Sequence, residues 1–279
     1  MSTRAAVPVR DALDGARGAI AAGGSPSARL DAELLLADAL GTSRERLLRE
    51  PGLPVDGAAV RRFQSHVRRR AVEREPIAYI VGRRGFRHVD LLVDPRVLVP
   101  RPETELLVEV GLELALGACV LDCCTGCGAV ALALKDERPD LRVAGSDISD
   151  AALAVAHTNG QRLGLEVEWL AADLLAGLDD RFDAILANPP YVPSALLPTL
   201  EPEIARHEPL LALDGGPDGL DVIRRLVVQA ASSSAALLAL ELGQGQAERI
   251  AALLEAAGFA ASAPRRDLAG IDRVIVARR

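Results

Sequence analysis

From residue 118 to residue 257 the chain alternates short apolar runs with helical spacings, and few architectures accept that rhythm. Strand-like runs fall near 118–122, 141–146, 166–170, 182–187 and 235–242. Helical spacings fill 128–137, 149–163, 219–231 and 246–257. Such alternation predicts an α/β fold, a mostly parallel sheet with helices on both faces. Two more strands, near 259–263 and 273–277, bring the expected sheet to seven. Hydrophobic residues make up 49% of the chain but aromatics only 3%, so Ala, Leu and Val must fill the core.

Residues 1–75 read as a separate helical domain. Ser25-Pro26 has the form of an N-cap followed by Pro at the first helical position. Leu30, Leu34 and Ala37 are spaced for one helical face, and Gly41 is a stop. A last helix carries Val60, Phe63, Val67 and Ala71 on one stripe. Arg62 and Arg69 point away from that stripe, and Arg61, Arg68 and Arg70 flank it. The run reads as a solvated outer face, with a docking face for an acidic or RNA-bound partner as the sharper alternative. Residues 76–100, punctuated by Gly82, Gly85 and Asp94-Pro95, predict a β-hairpin bridging to a catalytic domain over 101–279. That domain opens on a stiff turn, Val99-Pro100-Arg101-Pro102-Glu103-Thr104-Glu105, in which Thr104 or Glu103 can cap the helix that follows.

Charge and cysteine usage narrow the function classes. Residues 1–75 carry 13 basic and 10 acidic side chains, whereas residues 76–279 carry 19 and 29. The acidic larger part disfavours non-specific duplex binding, which depends on neutralising phosphates. No apolar run approaches the roughly 20 residues of a membrane span, and residues 1–10 lack a secretory apolar segment. All four cysteines lie between 119 and 127, too close to staple distant parts of a fold. A cytoplasmic monomer is the expectation. Cys124-x-x-Cys127 lacks a matching second pair, and the four histidines are scattered, so no metal is expected.

Chemistry concentrates in four places. Asp122-Cys123-Cys124-Thr125-Gly126-Cys127-Gly128 joins the first strand to a helix, a turn that lets a ligand approach the backbone beside a helix N-terminus. Asp147 ends the second strand, where a carboxylate can accept hydrogen bonds from ribose hydroxyls, or merely cap the helix after it. Asp173-Leu174 follows the third strand and can hold an adenine ring. Asn188-Pro189-Pro190-Tyr191 follows the fourth. Two prolines there remove two N–H donors and fix φ near −65°, leaving free carbonyls beside one amide and one aromatic ring. Such a corner can grip a planar NH2 group and present its nitrogen to an electrophile.

With these residues in view, the chain resembles the peptide chain release factor glutamine methyltransferase family from about Leu30 to the C-terminus. The matching stretches are Leu30 to Leu40, Glu75 to Gly82, the segment Val99 to Glu105, Asp147-Ile148-Ser149 and Asn188 to Tyr191. Beyond them come Glu208-Pro209, Leu213-Asp214-Gly215-Gly216, Glu241-Leu242-Gly243 with Gln246, and Asp267 to Gly270 with Asp272-Arg273. The resemblance implies a class I S-adenosylmethionine-dependent methyltransferase sheet with a small helical domain. It implies S-adenosylmethionine held by Asp122, Cys124, Thr125, Gly126, Cys127, Gly128, Asp147, Asp173, Leu174 and Asn188. It also implies catalysis by Asn188, Pro189 and Tyr191, with Pro190, Arg101 and Glu103 joining them around a release factor's glutamine. In this scheme Asn188 and the Pro189 carbonyl accept the amide hydrogens and Tyr191 packs on the glutamine arm.

One departure stands out. The family loop reads Asp-Leu-Gly-Thr-Gly-Ser-Gly, and here its first glycine is Cys124. A side chain there costs little only if φ stays negative, and would crowd the methionine end of the cofactor. Two rival readings remain: an amino methyltransferase acting on a nucleic-acid base, and a non-catalytic paralogue serving as an adaptor.

Overall fold

The computed structural model describes residues 6–179 and 181–279, so the first five residues of the expected helical domain lie outside the described residues. The chain divides into two compact units: Met1–Gly82 with Glu201–His207, and Arg83–Leu200 with Glu208–Arg279. No described helix is long and apolar enough to cross a membrane.

The first unit holds helices α1 (Val9–Ala22), α2 (Ala28–Leu40), α3 (Arg44–Arg49), α4 (Gly57–Ala71) and α5 (Ile77–Val81), with the later helix Pro202–His207. Two short strands, β1 (Val7–Pro8) and β2 (Pro54–Val55), pair antiparallel. Along α2 the buried stripe is Ala28, Ala32, Leu35, Leu36 and Ala39, the i, i+4, i+7 spacing of a helix face. Leu30 and Leu34, expected inside, are 41% and 37% exposed, because that stripe turns them outward. Gly41 does end α2 in the left-handed region, at φ 61°. Ser25 does not cap α2. Its hydroxyl donates to Asp31 Oδ2 at 2.7 Å.

The arginine run corrects the reading of a wholly solvated face. Val60, Phe63, Val67 and Ala71 pack on the helical core as the spacing predicts. Arg70 lies on the same stripe, seven residues past Phe63, and is only 6% exposed. Its Nε donates to Asp31 Oδ2 at 2.7 Å, its Nη1 to Glu203 Oε1 at 2.5 Å, and its Nη2 to the Ser25 hydroxyl at 2.9 Å. Arg74 clamps the same Glu203 with two bonds of 2.8 Å. The segment Glu201–His207 thus belongs to the helical unit through buried, bidentate charge pairing.

The second unit starts with a hairpin, β3 (Arg83–Phe86) and β4 (Val89–Leu92), confined to residues 83–92 of the span expected for it; α5 occupies the segment before Gly82. Then come α6 (Glu105–Leu112), β5 (Cys119–Cys123), α7 (Ala129–Glu137), β6 (Arg142–Asp147), α8 (Asp150–Leu163), β7 (Glu168–Ala171) and β8 (Ala184–Ala187). β9 (Leu237–Glu241), β10 (Ala260–Ala261), β11 (Arg265–Arg266) and β12 (Asp272–Arg278) complete the sheet, with the helix Asp221–Ala231 before β9 and the helix Ala247–Ala256 after it. The strand order is β10-β12-β9-β8-β5-β6-β7, with the two-residue β11 as an eighth strand against β12. Strands β5 to β9 pair parallel with their neighbours, and β12 runs antiparallel to β9.

Alternate side chains of the central strands face opposite layers. Cys119, Leu121 and Cys123 of β5 join Ile185, Ala187, Leu238 and Leu240 under Ile223, Leu226 and Val227 of the Asp221–Ala231 helix. Two of the four cysteines are therefore small apolar fillers of a core short of aromatics. On α6, Gly111 allows contact so close to α7 that a Cβ would stand 2.4 Å from Leu134.

Breaking a buried charge pair by removing one partner costs about 3–5 kcal/mol, since the other charges stay buried. Arg70→Met should lower the free energy of unfolding of the full chain by about that much. A loss below about 1 kcal/mol in urea denaturation would mean that the pairs are solvated.

Candidate functional site

The sheet order reverses beside β5: β6 and β7 continue to one side of it, while β8 lies on the other. Ligands of open α/β sheets bind at such a reversal, outside the carboxyl ends of the strands. Register aligns Cys123 with Ser146 and Ala187, and Ala187 with Leu240. The residues immediately after these pairs, Cys124, Asp147, Asn188 and Glu241, therefore stand along one edge. A cavity of about 480 Å³ opens there, within the usual range for small-molecule sites.

One wall is the loop after β5. Asp122, 2% exposed, accepts from the Thr125 hydroxyl at 2.5 Å and from the Ala131 N–H at 3.1 Å, both at Oδ2. Burial pushes this carboxyl up to about 7, against the pull of those two donors. Asp122 thus braces the loop. Gly126 sits at φ 57° with open space where a side chain would be, and its N–H donates to Asp147 Oδ2 at 3.0 Å. Gly128, at φ 85°, is different: a Cβ there would stand 2.8 Å from Trp169, which also fills the space behind Gly145. Gly128 shapes the loop from behind and does not line the cavity.

Cys124 does line the cavity, and its φ is +63°. The condition under which a side chain there would cost little, a negative φ, is therefore not met. The backbone keeps the left-handed turn that a glycine would adopt without strain, although a side chain is present. The neighbouring Cys123 thiol, and then burial, raise the Cys124 pKa, and burial pushes Cys127 up to about 12, so both stay protonated at neutral pH. All four cysteines are free thiols, and among the described residues no group of three or more His, Cys, Asp or Glu is disposed to hold a metal.

Asp147 Oδ1 accepts from the Ser149 N–H at 2.9 Å, so the carboxylate is positioned by two backbone donors and keeps lone pairs for hydroxyls. Burial raises its pKa, opposed by those donors. Asp173 is ion-paired to Arg225 at the rim, and buried Leu174, at φ 60°, presents an apolar wall. Sequence reasoning missed three contributors here. Ile148, 55% exposed, adds an apolar side to the cavity. Asn159, fully buried, ties Leu92 of β4 to the loop: it accepts from the Leu92 N–H at 2.7 Å and donates to the Leu92 and Cys127 carbonyls, both at 3.0 Å. The segment Pro209 to Ala212 closes another side.

On the opposite wall, Asn188 and Pro190 line the cavity, as does Arg101, whose Nη2 donates to buried Glu208 at 2.6 Å. Asn188 Nδ2 donates to the Thr104 hydroxyl at 3.2 Å. Thr104 therefore serves the corner and makes no side-chain cap on α6. Three of the residues expected here face elsewhere. Pro189 is buried and does not line the cavity. Tyr191 turns back into the core, where its hydroxyl donates to Glu241 Oε1 at 3.2 Å, so it does not offer its ring to a ligand in the cavity. Glu103 is absent from the lining; its charge acts instead on Glu241 and Arg273.

The corner is held from behind. Gln246 Nε2 donates to the Tyr191 carbonyl at 2.9 Å, and its Oε1 accepts from the Gly243 N–H at 2.8 Å. Val192 exchanges backbone bonds with Leu213 and Gly215, each of 2.9 Å. Gly219 must lack a side chain, because a Cβ would fall 2.4 Å from the Tyr191 carbonyl.

A non-glycine residue held at positive φ costs of order 1 kcal/mol. Cys124→Gly should raise stability by about 1 kcal/mol in denaturant titration. An unchanged or lower midpoint would show that packing of the thiol outweighs the strain.

The chain is similar to known proteins along most of its length. Residues 11–82 match the family model described as the PrmC N-terminal domain, and residues 102–198 match the methyltransferase small domain. The chain is 40% identical over 274 residues to a release factor glutamine methyltransferase of Geobacter sulfurreducens, covering 97% of this chain and 96% of that one. It is 43% identical to the Moorella thermoacetica protein of the same name, covering 97% and 98%. A methyltransferase structure from Pyrococcus furiosus shares the fold at TM-score 0.52 and 16% identity, covering 68% of this chain and 88% of that one. The chain belongs to the release factor glutamine methyltransferase family.

Proposed function

We propose that this protein transfers a methyl group from S-adenosylmethionine to the side-chain amide nitrogen of a glutamine in a peptide chain release factor, in its Gly-Gly-Gln loop. The observation that carries the reading is the Asn188 carboxamide: it lines the cavity with its NH2 end engaged by Thr104, which leaves its oxygen to a ligand.

The cavity's other wall suits the cofactor. Gly126 leaves room for close approach, Asp147 is placed for ribose hydroxyls, and Ile148 and Leu174 offer apolar surface for a flat ring. When bound, S-adenosylmethionine supplies a methyl group on a cationic sulfonium. The protein's task is alignment, because an amide nitrogen is a poor nucleophile whose lone pair is delocalised. Asn188 Oδ1 accepts one amide hydrogen. That bond strengthens as positive charge develops on the nitrogen, so it favours the transition state over the ground state. The N-methylated amide cation formed by the transfer is strongly acidic and loses its extra proton to water. A general base at the corner is therefore not required, and Glu241 lies buried behind Tyr191.

Asn188→Ala should abolish methylation of release factor, read as one added methyl on glutamine by mass spectrometry, with S-adenosylhomocysteine affinity nearly unchanged. Full activity in that variant would refute the assignment. Asp147→Ala should weaken S-adenosylhomocysteine binding by about 1.5–3 kcal/mol, the range for hydrogen bonds to a charged group. Equal affinity in calorimetry would remove Asp147 from the cofactor site.

A further inference from the structure

The wall that carries Arg101 holds a guanidinium with most of its donors unused. Arg101 lines the cavity, and its side chain is 30% exposed. Its Nη2 donates to Glu208 Oε1 at 2.6 Å, and among the described residues its other N–H groups have no partner. A guanidinium is a planar fork of several such donors. The Glu208 side chain is 1% exposed and does not line the cavity, so it fixes the arginine from behind. The other two arginines of the lining, Arg96 and Arg225, are 50% and 52% exposed and are tied to Asp94 and Asp173. Arg101 stands at the Asn188 end of the cavity. Its carbonyl accepts from the Thr104 N–H at 3.1 Å, and the Thr104 hydroxyl accepts from Asn188 Nδ2 at 3.2 Å. Asp147 ends β6, on the far side of β5 from β8 and Asn188.

We propose that Arg101, held by Glu208, binds the α-carboxylate of the cofactor's amino-acid arm. The proposal rests on the reading of the cavity as the S-adenosylmethionine site. A cofactor whose ribose meets Asp147 and whose sulfonium faces Asn188 crosses the end of β5, which carries its amino-acid arm towards the Arg101 wall. Two N–H groups of a guanidinium match the two oxygens of a carboxylate. The neutral amide of a glutamine is the poorer match, because a guanidinium on its oxygen would draw electron density from the nitrogen that has to attack. Arg101 therefore serves the cofactor rather than the glutamine, where the resemblance placed it. The charge of Glu208 beside the guanidinium also offsets repulsion between Arg101 and the sulfonium.

The test measures, by calorimetry on the full-length protein, the affinities for S-adenosylhomocysteine and for methylthioadenosine, which lacks the amino-acid arm. Arg101→Met should bind S-adenosylhomocysteine about tenfold to a hundredfold more weakly than the parent, the scale of a hydrogen bond to a charged group. The same variant should bind methylthioadenosine as the parent does. Arg101→Lys, which keeps the charge but not the fork, should lose less S-adenosylhomocysteine affinity than Arg101→Met. Unchanged S-adenosylhomocysteine affinity in Arg101→Met would overturn the proposal, and a raised KM for release factor in that variant would move Arg101 to the protein substrate. Equal weakening of both ligands would overturn it in favour of a packing role. A parent protein that binds neither ligand would overturn the reading of the cavity itself, and the proposal with it.

Discussion

The immobility of the turn after β8 is the constraint on which the rest depends. An amide nitrogen gains little from any single catalytic group, so geometry must supply most of the rate. The two prolines restrict φ, but a stiff dipeptide is useful only if it is anchored. Gln246 provides the anchor by spanning the Tyr191 carbonyl and the Gly243 N–H. The backbone exchange of Val192 with Leu213 and Gly215 fixes the far end. Segments widely separated in sequence, 208–219, 241–246 and the corner itself, are thus one construction, and Gly215 and Gly219 mark places where backbone meets backbone. The buried side of Tyr191 belongs to the same construction: its ring packs in the core and its hydroxyl serves Glu241.

The cofactor wall is built on the same logic with different materials. Asp122 and Asp147 hold the loop through its own hydroxyl and N–H groups, and Trp169 backs it where Gly128 and Gly145 leave room. Asn159 fastens the β4 edge to this loop, so the hairpin takes part in holding it. Cys124 shows how firmly the turn is specified. Its backbone stays left-handed despite a side chain, because the surrounding hydrogen bonds over-determine it.

Much of this was legible in the sequence, for identifiable reasons. Strand and helix periods differ, so the alternation from β5 to β9 located the elements within a few residues. Chain direction then placed Asp147 and Asn188 at the carboxyl edge. Other features depend on partners that no local pattern names. The burial of Arg70 required Glu203, 133 positions away. In α2 the stripe through Leu30 and Leu34 competed with one through Leu35 and Leu36, and only the neighbouring helices decide between them. The resemblance implies Tyr191 at the substrate, whereas its hydroxyl donates to buried Glu241 and its ring packs against the core. The positive φ of Cys124 had one signal, the glycine that the family pattern carries at that place.

The central claim is that the Asn188 oxygen grips the reacting amide. A crystal structure with S-adenosylhomocysteine and a Gly-Gly-Gln peptide tests it most directly. The account predicts the glutamine Nε2 within hydrogen-bond distance of Asn188 Oδ1, with Asn188 Nδ2 still on Thr104. A glutamine bound elsewhere, or an Asn188 side chain turned away from it, would contradict the account.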